Sequence, residues 1–268
     1  MRNRTGILQS QRPSISSDNH LRLSCPKSWA GMSQEQLRHT FDLIASGYYN
    51  SVELRTILLL RFNGITVLKN TRWGFSCVVK LDNGKKKYFY LQDWQVQYMI
   101  GQLEYIDSYE DMGTRLERLC GCTAADVQLH GLTFHDYLMA EKYYQVFLSQ
   151  RDPKWLNKLA VFLYSDESGN HLESMDLTEG EQMATFAWFS YVKSLFAKMF
   201  HHFFKRVGDG QNVPEVNFRE SMDAQIRALT EGDVTKEQQI YDTDCWRALT
   251  ELNFKAREAE EFRQRMKK

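Results

Sequence analysis

Apolar residues at helical spacing predict two short helices at the start of the patterned part of the chain. Ser33 to Gln36 fits the capping box, in which a serine and a glutamine three residues later cap each other's backbone. Gly47 suits the end of this helix, and a second apolar run extends from Ser51 to Asn63. The short connection between the runs predicts an antiparallel helix pair.

A β-hairpin is predicted next. Residues 71–80 and 87–92 are rich in β-branched and aromatic side chains, and Asn83–Gly84 between them readily takes the positive φ angles of a hairpin turn. Residues 65–68 could add a third strand.

Basic residues concentrate on this hairpin. Lys85, Lys86 and Lys87 form a run, and Arg72 and Lys80 lie nearby. Two interpretations stay open: a patch that contacts phosphates, or a solvated edge strand whose lysines prevent pairing with other chains.

Helical periodicity returns after residue 93. Residues 94–103 form one helix, and residues 113–150 contain two helical stretches separated around Cys120. Pro153 suits the first turn of the following helix. Residues 178–207 have the strongest helical pattern, with apolar side chains over about half of the helix surface.

The C-terminal residues predict a helix pair. The first helix ends at Gly232, and Thr235–Gln238 is a second capping-box sequence that would open a long final helix. One side of that helix carries apolar residues every three or four positions: Tyr241, Cys245, Ala248, Leu252, Ala256, Ala259, Phe262 and Met266. This side could pack on a partner protein or on residues 31–207 of the same chain.

We predict partner binding by this final helix. The residues expected to carry it are Tyr241, Trp246, Leu252, Phe262 and Met266. If so, deletion of residues 235–268 should abolish partner binding and leave a folded remainder, whereas unfolding of the truncated chain would show that the helix is core.

The predicted fold class is mainly α (α+β): a helical bundle with one small antiparallel β-hairpin and a C-terminal helix pair. Four segments are predicted along the chain. Residues 1–30 form a flexible basic leader, and residues 31–112 form the first helix pair with the hairpin and the following helix. Residues 113–210 form a helical core, and residues 211–268 form the C-terminal helix pair.

Composition narrows the function classes. The 268 residues include 34 basic and 34 acidic side chains, and this balance argues against a general polyanion binder. The five scattered cysteines favour reduced thiols in a cytosol-like compartment over a disulfide framework. Residues 186–205 pair an aromatic face with a basic one, which leaves open a peripheral membrane protein as an alternative to a core helix.

The best metal candidates are Cys120, Cys122, His130 and His135. Zinc sites often combine two close pairs of Cys or His ligands, but the Cys-x-Cys gap is shorter than usual. The other interpretation is two buried thiols and two surface histidines, and we expect no metal or other cofactor.

Catalytic motifs are missing from the sequence. It has no G-x-S-x-G nucleophile elbow, no phosphate-binding G-x-x-x-x-G-K-[ST] loop and no G-x-G-x-x-G. We therefore expect a non-enzymatic protein with no catalytic residues, although a site assembled from positions that no motif marks stays open as an alternative.

Two segments in the last 115 residues carry a family resemblance. They are KWLNKLAVFLYSDESG, from Lys154 to Gly169, and the stretch from Phe218 to Phe262. Together they resemble uncharacterised tail-region proteins of phages and prophages of Bacteroides-type bacteria. The resemblance implies a tail-assembly chaperone or another assembly or virion structural factor, with other phage structural or assembly proteins as partners. It also implies a location in the bacterial host cytoplasm or in the virion.

Overall fold

The computed structural model describes residues 14–15, 21–81, 83–204 and 218–266. The chain divides into two compact units. The first comprises the residues up to Leu116 together with Glu179–Ala184, and the second comprises Glu117–Thr178 together with the residues from Thr185 onward. The described elements are mostly helices with small antiparallel sheets, so the predicted mainly α (α+β) class is confirmed.

The first unit begins with the predicted helix pair, α1 (Gln34–Ser46) and α2 (Ser51–Phe62). The capping box of α1 is confirmed: the Gln36 N–H donates to Ser33 Oγ at 3.2 Å, and the Ser33 N–H donates to Gln36 Oε1 at 2.9 Å. Gly47 ends α1 with a left-handed φ of 65°. Local sequence therefore sets both ends of this helix.

A three-stranded antiparallel sheet follows, in the order β3 (Ile65–Thr71), β4 (Gly74–Lys80) and β5 (Lys86–Gln92). The possible third strand is thus present. The predicted start of a strand at residue 71 is wrong, because Arg72 and Trp73 form the turn between β3 and β4. Helix α3 (Asp93–Gly101) continues directly from β5.

The residues before α1 join the fold earlier than predicted. Two short strands, β1 (Ser14–Ile15) and β2 (Leu21–Arg22), pair with each other. Trp29 is buried and stacks on Phe41 at 5.2 Å, and its indole N–H is shared between the carbonyls of Tyr105 and Ser108 at 3.1 and 3.0 Å. The boundary predicted at residue 30 therefore falls inside the first unit, whereas residues 1–13 and 16–20 lie outside the described residues.

Among its described residues, the second unit combines a small sheet with six α-helices. The first turns of the third of these helices belong to the first unit. The sheet consists of β6 (Arg118–Leu119), β7 (Cys122–Ala124) and β8 (Tyr164–Ser165). The helices are α4 (Phe134–Gln150), α5 (Lys154–Leu163), α6 (Glu179–Met199), α7 (Phe218–Thr230), α8 (Glu237–Tyr241) and α9 (Cys245–Met266).

Three helix predictions in this unit are wrong in part. The first of the two stretches predicted within residues 113–150 is not a helix: residues 113–116 have no regular structure, and Arg118–Leu119 form β6. Cys120 and Gly121, with φ values of 49° and 82°, then reverse the chain between β6 and β7. Helix α6 ends at Met199 rather than at residue 207, and residues 205–217 lie outside the described residues. The single final helix is divided into α8 and α9 by a turn at residues 242–244.

Helix α6 supplies the centre of the second unit's core. Its residues Trp188, Phe189, Val192 and Phe196 are completely buried, and the Trp188 indole donates to the Val127 carbonyl at 2.8 Å. These aromatic residues, which the sequence left open as a membrane-binding face, are therefore packed inside the second unit. Within the described ranges, no helix has both the length and the apolar character that crossing a bilayer requires.

Candidate functional site

The first half of α9 belongs to the core of the second unit. Cys245, Ala248, Leu249 and Leu252 are buried. The Cys245 N–H donates to the Leu132 carbonyl at 2.9 Å, and burial raises the pKa of its thiol. Leu252, one of the predicted partner residues, is therefore a structural residue.

Trp246 is also held by its own chain. Its indole N–H donates to the Gln128 carbonyl at 2.6 Å, and its ring stacks on His130 with centroids 4.5 Å apart. Phe196 and Phe200 contact the same indole edge-on, at 5.2 and 5.4 Å. Trp246 thus fixes the start of α9 against α6 and the loop before α4.

Beyond Leu252, α9 is anchored at two points. The Asn253 side-chain oxygen accepts the backbone N–H groups of His202 and Phe203 at 3.0 and 3.1 Å. Further along the helix, His202 Nδ1 lies 3.3 Å from Glu260 Oε2. These contacts hold the helix against the turn that follows α6.

Beyond Glu260 the apolar side of α9 is exposed. Phe262 is 64% exposed and Met266 is 74% exposed, and Ala259 is exposed one turn earlier. At 100° per residue, these three residues lie within about 80° of buried Leu252, on the same side of the helix. The side that packs in the core therefore continues as an exposed apolar face, here called the terminal face (Ala259, Phe262 and Met266).

Tyr241 lies apart from the terminal face, at the end of α8. Its ring meets the His135 ring edge-on at 5.7 Å. It also lines a cleft of about 300 Å³ with residues of α7, including Asp223 and Ile226. Of the five predicted partner residues, only Phe262 and Met266 come together on an exposed surface.

The four metal candidates do not converge. Cys120 is exposed in the turn between β6 and β7, and Cys122 is buried on β7, where burial raises the pKa of its thiol. His130 stacks on Trp246, and His135 Nδ1 lies 3.1 Å from Asp136. Across residues 21–81, 83–204 and 218–266, no group of three or more His, Cys, Asp or Glu side chains is placed to hold a metal ion.

A polar cluster that no sequence motif marks lies around Asp136. One carboxylate oxygen is 3.1 Å from His135 Nδ1, and the other is 3.2 Å from His171 Nε2 and accepts the Thr133 hydroxyl at 2.7 Å. His171 Nδ1 lies 3.0 Å from the Tyr164 carbonyl, so both of its ring nitrogens have partners. The cluster joins α4 to the segment after β8.

The pKa values of this cluster move in opposite directions. Burial alone would raise the pKa of Asp136, but hydrogen bonds from His171, Thr133 and His135 outweigh it and the pKa is lowered. The hydrogen bond to Asp136 raises the pKa of His171, against the opposing effect of burial. At mildly acidic pH, Asp136 is therefore negatively charged and His171 positively charged.

We expect this pair to make stability depend on pH. Because the folded pKa of His171 is above the ordinary 6.5, its contribution is complete below that pH and is lost as pH rises through the raised value. Because the pKa of Asp136 is below 3.8, its contribution is lost only under acid conditions. Urea unfolding should show that His171→Gln lowers the free energy of unfolding by about 1–2 kcal/mol near pH 5.5, and by less near pH 8.

The control for this effect is His201→Gln, because His201 is exposed and its ring lies against the His202 ring, away from Asp136 in the chain. The control should keep the wild-type dependence on pH. Equal pH profiles for His171→Gln and the wild type would contradict the assignment.

Comparison of the chain with protein-family models, with curated proteins and with solved structures found no match.

Proposed function

We propose that this protein is a non-enzymatic assembly factor or structural component of a phage or prophage, possessing a docking site for a partner protein on the terminal face. The observation that carries the proposal is the continuity of one apolar side of α9. At Cys245–Leu252 this side is buried in the second unit, and at Phe262 and Met266 it is exposed. An apolar side of this kind gains free energy when another surface covers it.

A helix of a partner protein fits the terminal face best. Ala259, Phe262 and Met266 follow the three-then-four spacing with which helices pack along a common seam. Glu258 and Arg263 flank this seam with opposite charges, so a partner helix with the complementary order would pair with both.

The expected binding free energy comes mainly from burial of two side chains, Phe262 and Met266. Burial of a phenylalanine or methionine side chain contributes about 1.5–3 kcal/mol. Phe262 and Met266 together would therefore account for at least a hundredfold in affinity, about 3 kcal/mol. The phage context comes from the sequence resemblance of the last 115 residues, which implies other phage structural or assembly proteins as partners.

The test replaces the two exposed apolar side chains and leaves the core half of α9 unchanged. The full chain and its Phe262→Glu/Met266→Glu variant would be used to recover partners from phage-infected or expressing cells, with identification by mass spectrometry. We expect the wild type to retain a phage structural or assembly protein that the double variant loses. Purified components should then show an affinity at least about a hundredfold lower for the variant.

Gln264→Glu is the matched control, because it places the same side chain on the opposite side of the same exposed helix end. It should keep the partner. Recovery of the same partner by the double variant would contradict the proposal. Light scattering that shows the wild type to be a dimer, and the double variant a monomer, would assign the terminal face to self-association instead.

A further inference from the structure

The sheet of the first unit has one buried and one exposed face. Strand register places Cys77, Val79 and Leu91 on the inner side, where all three are buried. Helices α2 and α3 contact the edge strands β3 and β5 of the same sheet. The opposite side is here called the outer face, and it is formed by Thr66, Lys69, Ser76, Val78, Lys80, Lys86, Tyr88 and Tyr90.

Two tyrosines stand on this outer face. Tyr88 is 66% exposed and Tyr90 is 44% exposed. They are two residues apart on β5, so their side chains project from the same side with a spacing of about 7 Å. The Tyr90 hydroxyl lies 2.5 Å from Thr71 Oγ1, which holds its ring across the sheet. The result is a pair of fixed aromatic surfaces open to solvent.

Two exposed tryptophans extend the aromatic surface at one end of the sheet. The Asp93 N–H donates to the Trp73 carbonyl at 3.1 Å, which brings the β3–β4 turn beside the start of α3. Trp73 and Trp94 are both exposed there, and the Arg72 guanidinium lies 4.8 Å from the centre of the Trp73 ring. One cationic group thus lies against one of the exposed aromatic rings at this end.

The charge around the outer face is positive, although the whole chain is neutral. Residues 65–94 contain six basic residues and two acids, Asp82 and Asp93. The basic residues are Lys69, Arg72, Lys80, Lys85, Lys86 and Lys87; Lys69, Lys80 and Lys86 lie on the outer face itself, whereas Lys87 is on the other side of β5, opposite Val79. A local excess of this kind attracts anions at short range whatever the net charge of the chain, because salt screens more distant charges.

Protection of an exposed strand edge accounts for lysines on β3 and β5 but not for Lys80. Lys80 lies on β4, the central strand, directly opposite Lys86 on β5. Like charges in directly opposed positions destabilise a sheet. An anionic ligand would remove this repulsion, whereas edge protection requires lysines only on β3 and β5.

We propose that the outer face binds a single-stranded polynucleotide, with bases stacked on Tyr88 and Tyr90 and phosphates near Lys80 and Lys86. Unpaired bases offer flat faces of the kind that exposed tyrosines stack on, and their backbone supplies one anion per nucleotide. In a duplex the base faces are stacked on one another, and a polyanion without bases has no flat rings to stack on Tyr88 and Tyr90. This inference is independent of the terminal face, which lies in the other unit.

The test measures fluorescence anisotropy of labelled oligothymidine and oligouridine, each of about 20 nucleotides, with the full chain. Both should bind in about 50 mM salt, and the affinity for oligothymidine should fall as salt rises. Replacement of Tyr88 and Tyr90 by alanine should weaken binding about tenfold or more for each tyrosine. Replacement of both by phenylalanine should change affinity by less than about threefold, because the ring faces remain.

A second variant tests the charges without the aromatic rings. Lys80→Gln with Lys86→Gln should lower the slope of log affinity against log salt by about 1.4, which is 0.7 for each phosphate that a lysine no longer neutralises. Lys158→Gln with Lys198→Gln is the matched control, because both of these lysines are exposed in the second unit. Tyr48→Ala, which removes an exposed tyrosine between α1 and α2, is the aromatic control. Both controls should bind as the wild type does.

Several outcomes would overturn the inference. These are failure to bind either oligonucleotide at low salt, equal affinity for a duplex of the same length, or no effect of the alanine variants. Dependence of a captured protein partner on Tyr88 and Tyr90, without oligonucleotide binding, would assign the outer face to a protein instead. The Phe262→Glu/Met266→Glu variant should bind oligonucleotide normally, so this inference and the proposed function fail separately.

Discussion

A chain that ends at residue 234 is expected to lose the native structure of its second unit. The truncation removes Leu249 and Leu252, which are buried, and Trp246, which packs on Phe196 and Phe200. Loss of a buried leucine side chain alone costs about 2–5 kcal/mol, and the stability of a whole domain is about 5–15 kcal/mol. Circular dichroism and limited proteolysis should show a loss of cooperative unfolding and rapid cleavage within residues 117–204.

A chain that ends at Glu260 is the control for this truncation. It keeps the core half of α9 and the contact between Glu260 and His202, and it lacks Phe262 and Met266. We expect it to unfold as cooperatively as the full chain. If the chain that ends at residue 234 unfolded in the same way as the full chain, α9 would not be the core element described above.

Because removal of residues 235–268 is expected to unfold the second unit, that deletion cannot separate partner binding from folding. Substitutions beyond Glu260 can separate them.

Gly74→Ala is expected to destabilise the first unit by about 3 kcal/mol or more. Gly74 begins β4 with a φ of 146°, a region that residues with a Cβ rarely adopt. An added Cβ would also lie 2.2 Å from the Leu91 carbonyl oxygen on β5. The backbone of β4 or β5 must therefore move, and thermal unfolding of the variant should begin at a lower temperature.

Gly84→Ala is the matched control in the same sheet. Gly84 has a φ of 78°, and a Cβ there would meet no atom within 4 Å. It should lose about 1 kcal/mol, the cost of a left-handed backbone alone. Equal losses for the two variants would show that the close approach to Leu91 has no effect on stability. Because Gly74 lies on the outer face opposite Gln92, its replacement should also weaken oligonucleotide binding by displacing β5.

Local chemistry explains the parts of the fold that the sequence predicted correctly. Ser33 and Gln36 cap α1 through groups three residues apart, and Gly47 ends it through its own backbone freedom, so neither needs distant partners. The class of the fold followed from hydrophobic spacing in the same way. The turn at Arg72 and Trp73 was missed because aromatic residues at that position resemble a strand.

Distant contacts explain what the sequence did not predict. The division between α8 and α9 depends on the Phe134 N–H, which donates to the Thr243 carbonyl at 2.7 Å across more than a hundred residues. His171 and Asp136 are 35 positions apart, and nothing near either residue indicates their contact. Two of the five predicted partner residues, Trp246 and Leu252, pack inside the second unit for the same reason: periodicity shows that a helix side is apolar, but not what covers each turn of it.

Helix α6 contributes residues to both units, which affects the order in which the units can fold during synthesis. Glu179–Ala184, its first turns, belong to the first unit, where Glu181 pairs with Arg38 and Gly180 approaches Asp42 so closely that a Cβ would not fit. Synthesis proceeds from the N-terminus, so residues 117–178 of the second unit are synthesised before Glu179–Ala184 of the first unit. The first unit can therefore reach its complete fold only after this part of the second unit has been made. The first unit is discontinuous in sequence, so a fragment that ends at Leu116 lacks the contacts that Glu179–Ala184 provide.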